Sequence, residues 1–384
     1  MKRLDYLLLI LFILIGIYFV IFIYLTKAES QNTDIASDII PKLHSCPINS
    51  ANCYYALATD LLDKYKLPEI FNELEKGVIE TESIELDSCH KITHYLGREA
   101  YKRNSNISEL FTQCSQICMS GCFHGVVEEH LKEKNLAIED DDVLGKEIQT
   151  LCGNENNFEN LIKYQECFHG LGHGLMFLTE NDLPRALRLC EYLSVKVEML
   201  ACQSGVFMEN SNSNADHPSK YIKEGDFAFP CNTLDKKYHD YCYVYQSSRL
   251  ISIGKNDWKK NFELCYTHIP KDYWSRCFLY IGVAMASNTP TLEAMKTNCE
   301  FISNDYRNYC IIGVAEILSR RNTGDFSKTI KFCSIVDAEN KNYCYTIMGQ
   351  EVRKWARSDD QVIPICSKIP EEEYKDVCIS ATKK

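Results

Sequence analysis

The chain has 384 residues, 45% hydrophobic and 25% charged, the composition of a folded protein with room for one extended domain or two compact ones. Its net charge of -11, with no clustered basic stretch, excludes a nucleic-acid-binding role, which needs a positive surface against phosphate. Disorder is excluded by the same composition.

Residues Tyr6 to Leu25 are apolar or aromatic apart from one glycine. At 1.5 Å per residue they reach about 30 Å, the thickness of a bilayer core. The segment 6–25 is therefore predicted to be a single transmembrane anchor. A cleaved signal peptide has a shorter apolar region and a small-x-small site, neither of which is present. Lys2 and Arg3 hold residues 1–5 as a cytoplasmic stub, which places the bulk of the chain on the extracytoplasmic side of a cell membrane. Residues 26–45 read as a linker, with a polar spacer from Ser30 to Asp38, and Cys46 opens the folded part. The twenty cysteines, an even number, suit an oxidising compartment, and no Cys-x-x-Cys zinc ribbon or haem attachment signature occurs.

Apolar side chains at three- and four-residue intervals predict helices over 51–65 and 68–80, and Asp87 and Ser88 are expected to cap a further one running from about Cys89 to Arg103. That helix opens Cys89-His90-Lys91-Ile92-Thr93-His94 and carries Glu99. Cys122-Phe123-His124-Gly125 follows, with Glu128 one turn on, and then Cys167-Phe168-His169-Gly170-Leu171-Gly172-His173-Gly174. Imidazoles or carboxylates four residues apart share one helix face, where they can ligate a metal.

From Cys265 the cysteines become periodic, as Cys265/Cys277, Cys299/Cys310, Cys333/Cys344 and Cys366/Cys378, with corresponding members 33 or 34 residues apart. A period of this length predicts stacked helical hairpins, each with a short helix A ending near the first cysteine and a longer helix B beginning near the second. Bridges within hairpins are expected for these pairs, and for Cys231/Cys242, Cys190/Cys202 and Cys152/Cys167 by extension. Cys46, Cys53, Cys89, Cys114, Cys118 and Cys122 remain, with fifteen possible pairings. Repeat length and hairpin plan resemble tetratricopeptide-type repeats in a disulfide-bridged, secreted form, although the Trp, Leu-Gly, Tyr and Pro pattern of those repeats is absent. The expected fold is all-α: an α-solenoid of stacked hairpins stapled by disulfides behind one transmembrane helix. Repeats carrying the His-rich site occupy 46–220, and a C-terminal set occupies 221–384.

Two residues after the B-helix cysteine stand His124, His169 and Ser204 in early units, against Val244, Leu279, Ile312 and Thr346 later, as if a core position had become polar. His90 and His94 sit one position earlier than this register. Gly172 and Gly174 look unmatched elsewhere, which suggests close approach of a ligand or of packed backbone. The expected metal ligands are His90, His94, His124, Glu128, His169 and His173, with Glu99 and Glu209 as possible additions. With the thiols bridged, imidazole and carboxylate donors suit a divalent transition metal: zinc, iron, copper or manganese. A buried hydrogen-bond network is the competing reading of the same histidines.

The polar run Asn210 to Ser219, with His217, reads as a lid or an idle loop, and Glu139 to Asp142 as a helix-capping turn. No nucleophile elbow, phosphate loop or dinucleotide fingerprint is present, so any chemistry would belong to the metal. The sequence thus points to a membrane-anchored metal-binding protein, hydrolytic or redox if it is an enzyme. The alternative is a non-catalytic cell-envelope scaffold that offers Tyr273, Trp274, Tyr306, Tyr309 and Trp355 to a protein partner.

Overall fold

A computed structural model of the chain describes residues 35–47, 50–77, 84, 86–115, 117–118, 121–134, 139–211, 219–321 and 324–383. The segment read as a membrane anchor, the stub before it and His217 lie outside them. Among the described residues every regular element is helical, and no helix is long and apolar enough to cross a membrane. The chain divides into two compact units, one formed by Met1–Asn106 with Gln113–His130 and the other by Ile107–Thr112 with Leu131–Lys384. The division therefore falls near residue 130 rather than near 220, because the hairpins on either side of the 210–219 run pack on each other within the second unit.

The first unit begins earlier than Cys46. Helix α1 (35–45) buries Ile35, Ile39 and Leu43 at four-residue spacing, so the expected linker is helical from residue 35. Helix α2 (Ala51–Lys64) meets it through Lys42–Asp60 at 2.7 Å and Lys64–Asp38 at 3.0 Å, and through the Cys46–Cys53 disulfide. Helix α3 (Leu67–Glu75) starts with Pro68 in its first turn. Both α2 and α3 pack on α4 (Leu86–Arg103). After α5 (Ile107–Gln113), which belongs mostly to the second unit, α6 (Gly121–Glu133) crosses α4. Two bridges, Cys89–Cys118 and Cys114–Cys122, tie the start of α6 and the loop before it in place.

The second unit is a row of hairpins: α7/α8 (Asp141–Leu151, Leu161–Leu178), α9/α10 (Leu183–Cys190, Lys196–Ser211), α12/α13 (Trp258–His268, Trp274–Asn288), α14/α15 (Leu292–Cys299, Asn304–Arg321), α16/α17 (Ser327–Ile335, Ala338–Trp355) and α18/α19 (Asp359–Cys366, Glu372–Ala381). Between the second and third, α11 (His239–Gly254) is a B helix whose A partner is replaced by irregular chain and short 3-10 turns. Asp140, Asn160, Asp182, Asp257 and Thr291 accept backbone N–H groups at helix starts, which is why the helices begin where they do. Seven disulfides link the A and B arms, Cys152–Cys167, Cys190–Cys202, Cys231–Cys242, Cys265–Cys277, Cys299–Cys310, Cys333–Cys344 and Cys366–Cys378.

B helices pack on B helices, and in three pairs glycines bring the backbones into contact, reciprocally in α8/α10 and α13/α15 and from Gly349 alone in α17/α19. A Cβ on Gly172 of α8 would lie 2.0 Å from Cys202 O of α10, and one on Gly205 of α10 would lie 2.0 Å from His169 O. Gly282 of α13 meets Cys310 O and Gly313 of α15 meets Leu279 O in the same way. Gly172 thus has counterparts five residues after Cys277 and Cys344, at Gly282 and Gly349, and its role is tight helix packing. The row also curves back on itself: α17 packs on α8, and the Arg357 guanidinium beyond α17 donates to the carbonyl oxygens of Glu155, Phe158 and Glu159 just before α8.

Tyr266, Trp274, Phe278 and Tyr306 pack edge to face within the α12/α13 hairpin and across to α15 at centroid distances of 4.7–5.9 Å, and Trp355 meets Phe326 at 6.2 Å. Glu351 of α17 is fully buried and receives Arg320 Nε at 3.0 Å and Lys354 Nζ at 2.5 Å. Burial alone would push this carboxyl up, but the charges and hydrogen bonds of Arg320 and Lys354 outweigh it and hold the group below the usual glutamate value. Its contribution to stability is therefore present above about pH 4.3 and is lost as pH falls through the lower folded value. In urea titrations at pH 7, Glu351→Gln should be less stable than the parent by on the order of 2 kcal/mol. The gap should close below about pH 4.

Candidate metal centre

In the first unit, α4 supplies His90 and His94, and α6 supplies His124 and Glu128. The ring centroids lie 5.3 Å (His90–His124), 6.0 Å (His94–His124) and 6.2 Å (His90–His94) apart, and all three side chains are buried. His90 Nδ1 is 2.9 Å from Cys118 O, and because a carbonyl only accepts, the proton sits on Nδ1 and the lone pair on Nε2. His94 Nε2 is 3.5 Å from Glu128 Oε2. That oxygen is also held by the Arg98 guanidinium, whose Nε donates at 2.8 Å. Glu128 therefore stands beside the imidazoles as half of an ion pair.

The glycine contacts correct the register of α4. Gly97 meets Cys122 O as Gly172 meets Cys202 O, and Gly125 meets His94 O as Gly205 meets His169 O. His94 is thus the counterpart of His169, Arg98 stands where His173 stands, and His90 is one turn earlier. No rotation of α4 is needed.

In the second unit, α8 supplies His169 and His173, and α10 supplies Glu209. His173 has no exposed surface; its Nδ1 donates to Glu209 Oε2 at 2.8 Å, and its Nε2 lies 3.1 Å from His169 Nε2. Glu209 acts on the far nitrogen of His173 and fixes the ring, the arrangement in which a carboxylate would raise the basicity of a metal-binding imidazole. Two nitrogens 3.1 Å apart, each about 2.05 Å from one metal ion, would subtend roughly 100°, close to a tetrahedral angle. His173 and Glu209 in the second unit could each give a ligand atom to a metal ion, as could His124 in the first.

Glu99 does not join these groups. It pairs with Arg103 Nε at 3.1 Å, since five residues after His94 is roughly 140° around the helix. Arg98 was not anticipated, although it follows His94 by the same four residues that flagged the histidine pairs. The position two residues after the B-helix cysteine also differs from expectation. His169, Ser204, Val244, Leu279, Ile312 and Thr346 are all only partly buried, so this is not a position of the fully buried core of the second unit. Every cysteine is bridged, which leaves imidazole and carboxylate as the donors.

No protein-family model, curated protein or solved structure matches this chain.

Proposed function

We propose that the chain is a membrane-anchored, extracytoplasmic metal-binding protein, built as an α-solenoid of the tetratricopeptide type. Its His/Glu groups hold a divalent transition metal. The observation that carries this reading is the His169–His173 pair, two Nε2 atoms 3.1 Å apart with the second imidazole oriented by Glu209. A hydrogen-bond network satisfies one such contact with one proton, but it gives no reason for three further imidazoles to gather on α4 and α6. Nitrogen-rich donors without thiolate suit zinc, copper, iron or manganese, which would supply Lewis acidity for hydrolysis or a redox couple. The anchor at 6–25 would hold the protein at the membrane surface.

The test is elemental analysis of protein purified without a His-tag and re-metallated. At least one equivalent of metal per chain is expected, with most of it lost in His169→Ala/His173→Ala. Glu209→Ala should weaken metal affinity by roughly 10–100-fold. Unchanged metal content in the double variant would return these histidines to a structural network.

A further inference from the structure

The two helices that carry a pair of histidines do not repeat one another completely. In the register fixed by the glycine contacts, His94 of α4 answers to His169 of α8, but Arg98 stands where α8 has His173. A guanidinium has no lone pair for a metal ion and is always charged, so at this one position the face of α4 changes from ligating to anion-binding.

Arg98 is prepared for that task by its neighbours. Its Nε donates to Glu128 Oε2 at 2.8 Å, its Nη2 donates to the same oxygen, and its Cζ sits 5.2 Å from the centre of the Tyr95 ring. These contacts occupy one edge of the guanidinium and one of its faces. The end edge, Nη1 with the outer N–H of Nη2, meets no acceptor among the described residues, and with the side chain 23% exposed it is open to solvent. A guanidinium held in this way has already given up much of the freedom it would lose on binding a second anion.

The same Glu128 oxygen lies 3.5 Å from His94 Nε2. A single oxygen therefore separates the guanidinium from the cluster of His90, His94 and His124, which are buried with ring centroids 5.3–6.2 Å apart. Three neutral imidazoles leave the charge of a divalent ion uncompensated, and Glu128, the carboxylate beside them, is already neutralised by Arg98. Two cations this close repel each other unless an anion lies between them. An oxyanion can meet both, ligating the metal through one oxygen and taking the end edge of Arg98 with another.

We propose that Arg98 anchors a small oxyanion, a carboxylate or a phosphate, whose second contact is a metal ion held by His90, His94 and His124. The second contact rests on the metal reading and the first on the geometry of Arg98, and the two can be separated. The full chain in detergent, loaded with zinc and freed of excess metal, is titrated calorimetrically with inorganic phosphate and with acetate, and with sodium chloride as the control. Saturable binding of one phosphate or acetate is expected, the tighter of the two showing whether the natural group is a phosphate or a carboxylate. Arg98→Met should weaken it roughly tenfold or more at unchanged metal content. Arg98→Lys, which keeps the charge but not the fork, should recover only part of the affinity, and it carries the test if circular dichroism shows that Arg98→Met does not fold. Arg103→Met removes an arginine that pairs with Asp63 and Glu99 instead, and should bind as the parent does. Anion binding that is lost in Arg98→Met but is equally tight in chelated protein would uphold the arginine and reject the metal at this centre. Zinc-loaded protein that binds neither anion, or that binds them equally well in both Arg98 variants, overturns the proposal.

Discussion

Gly313→Val should unfold the C-terminal hairpins at temperatures where the parent protein is fully native. A Cβ at this position would lie 2.1 Å from Leu279 O and 2.9 Å from Val283 N, both backbone atoms of the neighbouring helix. No rotamer change relieves such a clash, so α13 and α15 must separate along their shared crossing, and the apolar contacts on either side open with them. The expected loss is on the order of 3 kcal/mol, read as a lowered urea midpoint. Gly225→Ala is the control. It has a φ of +74° but open space around its Cβ, so its cost is limited to the left-handed backbone, about 1 kcal/mol.

Removing the Cys89–Cys118 bridge as Cys89→Ser/Cys118→Ser should be the most damaging of the paired cysteine replacements. It closes 29 residues, against 7 for Cys46–Cys53. The loop-entropy relation gives roughly 3.6 kcal/mol for the longer loop and roughly 2.4 kcal/mol for the shorter. The bridge also positions the acceptor of His90 Nδ1, the carbonyl of Cys118. Its loss should therefore weaken metal retention by the first unit, whereas Cys46→Ser/Cys53→Ser should lower stability alone. Melting temperature and metal content measured on both variants separate the two effects.

The architecture of the second unit was legible because its cysteines keep a period. One residue type at a fixed spacing marks the hairpin, the bridge and the register of helix B together, and the pairs from Cys152 onward follow from it. The first unit was less legible for the same reason. Its helices α4 and α6 are registered by Gly97, Gly121 and Gly125 against carbonyl oxygens, and Cys89 lies off the repeat position. Reading His90 and His94 from that cysteine displaced them, and Arg98 escaped notice because an arginine is not a ligand type. Glu209 was found only as a possible ligand, since its hydrogen bond to the back of His173 depends on how α10 crosses α8, which no local pattern encodes.

The spacing of the bridges has a consequence for how the chain is made. Nine of the ten disulfides join cysteines 15 or fewer residues apart, and only Cys89–Cys118 spans more. A short loop closes quickly, and each partner lies nearer in the chain than any cysteine of the next hairpin. Made in an oxidising compartment, therefore, every hairpin past Cys152 could be oxidised as soon as it is complete, before its neighbour exists to compete for the thiols. Maturation can run vectorially from the amino to the carboxyl end, with a disulfide isomerase needed chiefly for the interleaved set of Cys89, Cys114, Cys118 and Cys122.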